Sequence, residues 1–193
     1  MKIAEQANSG EGPPTCDLRL NTTLSEAERR RWQNPDVIRR LLATTRTVAI
    51  VGMSADPQKA SAFVAAYLQH EGYRSLPVNP RGGRVLGETI YPDLAAIPVP
   101  VDIVDVFRPP AEAPSFARQA VAIGAKALWL QLRIVSVEAA EIAEAAGLDV
   151  VMDRCVKMEH GRFNGTLHWG GMNTEIISAR KARAPLHSTS GPR

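Results

Sequence analysis

Cysteine is nearly absent. Cys16 and Cys155 are the only two in 193 residues, far apart and in unlike surroundings. No disulfide framework and no zinc spacing can be built from them. No apolar run approaches the ~20 residues that a membrane-spanning helix needs, and the N-terminus lacks the apolar stretch of a signal peptide. Charge of one sign is not in excess either. The formal net charge of +3 is too weak to argue for nucleic acid but is compatible with an anionic small ligand. The basic run Arg29-Arg30-Arg31 has no aromatic interleaving and no second basic cluster, so it reads as a solvated helix face. Together these absences point to a soluble, reduced, cytoplasmic protein with no nucleic-acid or membrane partner. The length suits one domain with a core plus extensions, and 45% apolar content is that of a globular chain.

What is present is alternation. Residues 1–24, with Gly10, Gly12, Pro13 and Pro14, read as a flexible lead. Residues 25–45 read as a helical extension. Ser25 and Glu28 form an S-x-x-E capping box. Asn34-Pro35 can cap and start a second helix, which carries Val37, Ile38, Leu41 and Leu42 on one sticky face. From 46 to 160 strands alternate with helices. Strands are predicted at Val48–Val51, Tyr73–Val78, near Arg84–Leu86, at Val101–Phe107, Ala127–Leu130 and Leu148–Met152. The first crossover helix carries Phe63, Val64, Tyr67 and Leu68 on one face and ends at Gly72. Two more cover about Glu112–Ile123 and Val137–Ala146, ending at Gly124 and Gly147. This order implies right-handed βαβ units in one open parallel sheet with helices on both faces, an α/β fold. Residues 161–193 read as an extension, placed as a strap over the domain or a second subunit, with a disordered tail from 184.

In such a sheet the ligand sits beyond the carboxyl ends of the strands. The first strand stops on Gly52, and the turn after it is expected to aim backbone N–H groups and a helix N-terminus at a phosphate. The loop Gly52-Met53-Ser54-Ala55-Asp56-Pro57 has one glycine, and the second strand ends in Val78-Asn79-Pro80 without a carboxylate. Both features argue against NAD, and the missing glycines weigh against NADP. Lys59 precedes Ala60, so no G-K-[S/T] phosphate loop exists. Asp56 stands where a hydrolase elbow needs glycine. Ser54 then serves as a hydroxyl donor to phosphate. No acid–base constellation emerges: His70, His160, His168 and His187 have no partner by spacing, Cys155 is read as structural, and Asp105 points inward, satisfied by neighbouring N–H groups. The remaining features are the cations Lys59, Arg81, Arg84 and Arg108 and apolar walls from Val78, Pro80, Phe107 and Pro109. They suit an adenine nucleotide with extra phosphates.

At these residues the chain resembles the small bacterial CoA-binding domain proteins, similar in fold to the CoA-binding half of the succinyl-CoA synthetase α subunit. The matching segments run in order: V-A-I-V-G-M-S (48–54), K-A-S (59–61), G-Y-R-S-L-P-V-N-P (72–80), V-L-G-E-T-I-Y-P-D-L (85–94), V-D-I-V-D-V-F-R (101–108), A-I-G-A-K-A-L-W-L-Q (122–131) and V-V-M-D-R-C-V-K-M-E-H (150–160). The resemblance implies a Rossmann-like sheet with CoA or acyl-CoA across its carboxyl edge. Gly52, Met53 and Ser54 would face the phosphates and Lys59 would neutralise one. Val78, Asn79 and Pro80 would flank the adenosine, with Arg81 following, and Phe107, Arg108 and Pro109 would border the pantetheine path. Two positions depart from the pattern: Ala60 where the family has proline, and Arg133 where it has glycine. The ligase chemistry is not implied. Three other readings stand beside non-catalytic CoA binding. They are a subunit of an acyl-CoA ligase or transferase that needs a separate partner, an NAD(P)-binding regulatory protein, and an interaction module using the basic helix. A homodimer is compatible with each.

Overall fold

The computed structural model describes residues 23–163. The expectations placed on residues 1–22 and 164–193, including Cys16, His168, His187 and the strap, lie outside the described residues.

Helix α1 (Glu26–Trp32) starts where the capping box is predicted. Ser25 Oγ accepts from the Glu28 N–H, and the Glu28 carboxylate accepts from the Ser25 N–H at 2.7 Å. Helix α2 (Pro35–Thr44) is capped by Asn34 Oδ1, which accepts from the N–H groups of Asp36 and Val37, with Pro35 at the first position. There follow β1 (Thr47–Val51), α3 (Ala60–His70), β2 (Arg74–Val78), the two-residue strands β3 (Arg84–Val85) and β4 (Glu88–Thr89), and β5 (Ile103–Val106). A 3₁₀ turn at Pro110–Glu112 then leads into α4 (Ala113–Ala122), β6 (Ala127–Leu130), α5 (Val137–Ala145), β7 (Asp149–Met152) and α6 (Val156–Phe163).

Five strands form one parallel sheet in the order β2-β1-β5-β6-β7. Strands of a parallel sheet covered on both faces are buried almost throughout, and alternate side chains feed two cores. Val48, Ile50, Ile103, Trp129 and Val151 join α2, α3 and α6. Ala49, Val51, Val104, Val106, Leu128, Leu130 and Met152 join α4 and α5. Each large apolar side chain so buried contributes about 1.5–3 kcal/mol. The fold class is therefore the one read from the sequence: a Rossmann-like α/β sheet with helices on both faces and N-terminal helices.

Those N-terminal helices close around the β7 edge. Trp32 is buried in the α4/α5 core, and its Nε1–H donates to Glu144 at 3.0 Å. Arg31 also grips Glu144. Gln33 donates to the Met152 carbonyl at 3.1 Å, and Arg40 pairs with Asp149 at 2.8 Å. On the other face Ile38, Leu41 and Leu42 pack with β1 and α6. Arg30 pairs with Glu26, so two of the three clustered arginines are engaged by acids of this chain.

Several details differ from expectation. Phe63 is 57% exposed rather than core: the buried stripe of α3 is Ala62, Val64, Ala65 and Leu68, and Phe63 points outward under the Lys157 ammonium, 4.3 Å from the ring centroid. Strand β3 is one arm of an antiparallel hairpin whose second arm is β4. After it, Tyr91 runs beside β2, bridging Val78, donating to the Pro77 carbonyl and accepting from the Asn79 N–H. Helix α6 is an additional element. His160 is not without a partner: its Nδ1 lies 2.9 Å from the Tyr67 hydroxyl, and the ring meets Tyr67 and Tyr73 edge-on. Burial holds its pKa below the usual range, against the opposing effect of Glu71.

Candidate ligand-binding site

Chain order builds the site. From β1 the chain steps one way to β2, then crosses to the other side of β1 to lay down β5. The carboxyl ends of β1 and β5 therefore diverge, leaving a crevice at the switch point. A cavity of about 550 Å³ occupies this place, within the range of small-molecule sites. Its walls are Val51 and Gly52 at the end of β1; Val78, Asn79, Pro80 and Arg81 at the end of β2; Pro92 and Asp93 beyond the hairpin; Arg108 after β5; and Glu112, Phe116 and Gln119 from α4 and the turn before it.

The β1 end is shaped by Gly52. Its φ is +82°, and a Cβ there would stand 2.8 Å from Arg108 Cδ and 3.3 Å from the Phe107 carbonyl oxygen. The Arg108 side chain thus lies over the glycine, and only hydrogen leaves it room. The turn does not offer its N–H groups as the sequence led us to expect. Gly52 and Met53 both donate to the Val78 carbonyl, at 3.0 and 3.2 Å, which pins the turn to β2. Asn79 adds a second tie: Nδ2 donates to the Met53 carbonyl at 2.7 Å, while Oδ1 accepts from the Arg81 N–H at 3.0 Å. Asn79→Ala is expected to lower stability by about 1 kcal/mol, the net worth of the part-buried bond to Met53 with the exposed one to Arg81. Urea unfolding measures it, and a change below 0.3 kcal/mol would show that the two loops hold their places unaided.

Six of the eleven sequence-predicted residues line the cavity: Gly52, Val78, Asn79, Pro80, Arg81 and Arg108. Met53 does not face it; its side chain is buried among α3 and the sheet. Ser54 Oγ accepts from the Asp56 N–H, and the Ser54 N–H donates to Ser61 Oγ. Lys59 is exposed at the head of α3, where no side chain caps the helix, so the first-turn N–H groups keep their affinity for an anion. Phe107 is half-buried against the α3 core and Pro109 opens the 3₁₀ turn. Arg84 donates to the Gly87 carbonyl inside the hairpin. Sequence reasoning missed the α4 wall and Pro92-Asp93. Glu112, Phe116 and Gln119 stand at i, i+4 and i+7, one stripe of a helix, which is a findable signal. Pro92 and Asp93 reach the site only because Tyr91 runs parallel to β2.

Asp105 lies on β5 one residue before the end of the strand, on the opposite face from the cavity. It is fully buried. Gln131 Nε2 donates to Oδ2 at 3.0 Å, and Oδ1 has no partner among the described residues. Only one oxygen is thus satisfied, fewer than the sequence led us to expect. Burial pushes the carboxyl up to about 8, with the Gln131 amide pulling the other way. Burial also raises the Cys155 thiol, with Asp105 adding to the shift. Beyond β6 and β7, Arg133 and Asp153 hold left-handed backbones (φ 65° and 55°), and the Arg133 N–H donates to the Asp153 carboxylate at 2.6 Å. No cluster of three or more metal-ligating side chains occurs among the described residues, and no helix there is long and apolar enough to cross a membrane.

The fold and cleft define a doubly wound α/β domain with a crevice at the carboxyl edge of its sheet. The family model for the CoA binding domain matches residues 46–161, and the chain belongs to that family. The uncharacterized protein YneT of Bacillus subtilis is 35% identical over 130 residues, spanning 66% of this chain and 96% of YneT. A Thermus thermophilus structure is 38% identical with a TM-score of 0.64, covering 67% of this chain and 98% of that one. A hypothetical protein from Pyrococcus horikoshii OT3 is 33% identical with a TM-score of 0.65, covering 79% and 98%.

Proposed function

We propose that the switch-point cleft binds CoA or an acyl-CoA as a non-catalytic holder or sensor. The observation that carries this is that two arginines, Arg81 and Arg108, line a cavity of about 550 Å³ together with Val78, Pro80, Pro92 and Phe116, in a chain of the CoA-binding-domain family. Arg81 is exposed, and its guanidinium has no partner among the described residues. A cation at the mouth of a cleft suits the phosphates of an adenosine that carries more than one. Val78, Pro80, Pro92 and Phe116 supply flat apolar surface for the base or the pantetheine arm. The uncapped first turn of α3, with Ser54 and Lys59, stands ready for a phosphate beyond the cleft mouth. The lining offers cations, carboxylates, amides and apolar surface, an inventory for binding and orientation.

At a hundredfold excess of CoA over its Kd, binding adds about 2.7 kcal/mol of stability. For a domain of this size that raises Tm by about 8 °C. 3′-Dephospho-CoA is expected to give a smaller shift and NAD almost none, and raised salt is expected to weaken CoA binding because the cations are exposed. Differential scanning fluorimetry separates the three ligands. Equal shifts with CoA and NAD would favour a general dinucleotide site and sink the proposal.

A further inference from the structure

The cavity meets a polyanion with balanced charge: Arg81 and Arg108 stand against Asp93 and Glu112. The two acids are not equivalent. Asp93 Oδ1 accepts from the Ala96 N–H and so holds its own turn. Glu112 stands at the cap position of α4 yet makes no capping bond. Its carboxylate instead faces Arg108, with Nε to Oε2 and Nη2 to Oε1 both at 2.9 Å. This is the two-pronged geometry by which a guanidinium takes a phosphate. The pair is half-exposed on both sides, so opening it costs little.

Resting on the reading of the cleft as an anionic-ligand site, we infer that Glu112 is an internal stand-in for the ligand's phosphate. It holds Arg108 over Gly52 while the site is empty, and a phosphate of the incoming ligand displaces it. The same side chain biases entry: a neutral group brings Arg108 no anion in exchange for Glu112 and gains nothing by opening the pair. A polyphosphorylated ligand replaces Glu112 with a stronger acceptor. Arg81, which has no such guard, supplies the first attraction.

Two measurements test this. Titration calorimetry of wild type and Glu112→Gln is run with CoA and, separately, with inorganic pyrophosphate. Removing one negative charge beside the bound phosphate is expected to tighten both by about 3- to 10-fold. In parallel, the Arg108 Nε–H resonance of ¹⁵N-arginine-labelled wild type is followed on saturation with each probe. It is expected to leave its free position and to reach the same bound position in wild type and in Glu112→Gln. Weaker binding by Glu112→Gln, or a wild-type Arg108 signal unmoved at saturation, overturns the stand-in. A stand-in response to pyrophosphate without any CoA binding leaves the inference standing and overturns the CoA reading instead. Binding of neither probe by either protein overturns both.

Discussion

Asp105→Asn is expected to make the protein more stable at neutral pH, and the gain is expected to vanish in acid. The wild-type carboxyl is fully buried on the central strand β5, with one oxygen unpaired among the described residues, and burial pushes it up to about 8. In the unfolded chain an aspartate titrates near ~3.9. Between these values the folded state holds a proton that the unfolded state has released. Stability is therefore full below about pH 4, falls as pH rises through the window, and levels off above about 8. The slope approaches ~1.4 kcal/mol per pH unit, so about 4 kcal/mol separates pH 4 from pH 7. Asparagine keeps the shape and still accepts from Gln131, but it has no charge to desolvate. Urea unfolding at pH 5, 6, 7 and 8 should show the two proteins converging in acid and separating by several kcal/mol, about 3 or more, near pH 7.5. Parallel curves across that range would mean that Asp105 ionises freely where it stands. Asp102 has the opposite sign. Burial works against its charge, but Lys126 and the N–H groups of Arg46 and Thr47 outweigh it and hold the pKa at about 2. Its contribution is present above about pH 4 and is lost as pH falls toward 2.

Gly52→Ala is the second large effect, and it strikes binding harder than folding. The left-handed backbone costs a residue with a Cβ about 1–2 kcal/mol. The methyl group must also push Arg108 Cδ away from 2.8 Å, which moves the guanidinium from the cleft wall. CoA affinity is expected to fall by at least about tenfold, roughly 1.4 kcal/mol of binding free energy, on top of a lowered Tm. Calorimetry with the folded variant measures the first and thermal melting the second. An alanine variant that binds CoA as wild type does would show that Arg108 is not held by the glycine.

The fold was legible because its punctuation is chemical. Ser25, Asn34-Pro35 and the turn glycines 72, 124 and 147 mark helix starts and stops, and the strands are short, mostly apolar runs, so sheet class and element order followed. The site was half legible. Gly52, Asn79, Arg81 and Arg108 follow directly from being next to strand ends. The α4 wall and Pro92-Asp93 arrive from elsewhere in the chain, and no local pattern says that a helix stripe looks into a crevice. Phe63 was misplaced because α3 carries apolar residues on more than one stripe, and a helical repeat alone cannot choose which meets the sheet. The hairpin partner β4 is two residues long, too short for periodicity. The use of the Gly52 and Met53 N–H groups by Val78 is a tertiary bond across two strands, invisible until their register is known.

The clasp between the first helices and the last strand has a consequence during synthesis. Arg40 must wait for Asp149, 109 residues later, and Gln33 for Met152, 119 residues later. At translation rates of ~5–20 residues per second, α1 and α2 leave the ribosome about 5–24 s before their partners exist. For that interval Trp32 lacks its α4/α5 core, and Ile38, Leu41 and Leu42 have β1 but not α6 to pack against. The two helices therefore stay without their full packing until β7 and α6 have been made.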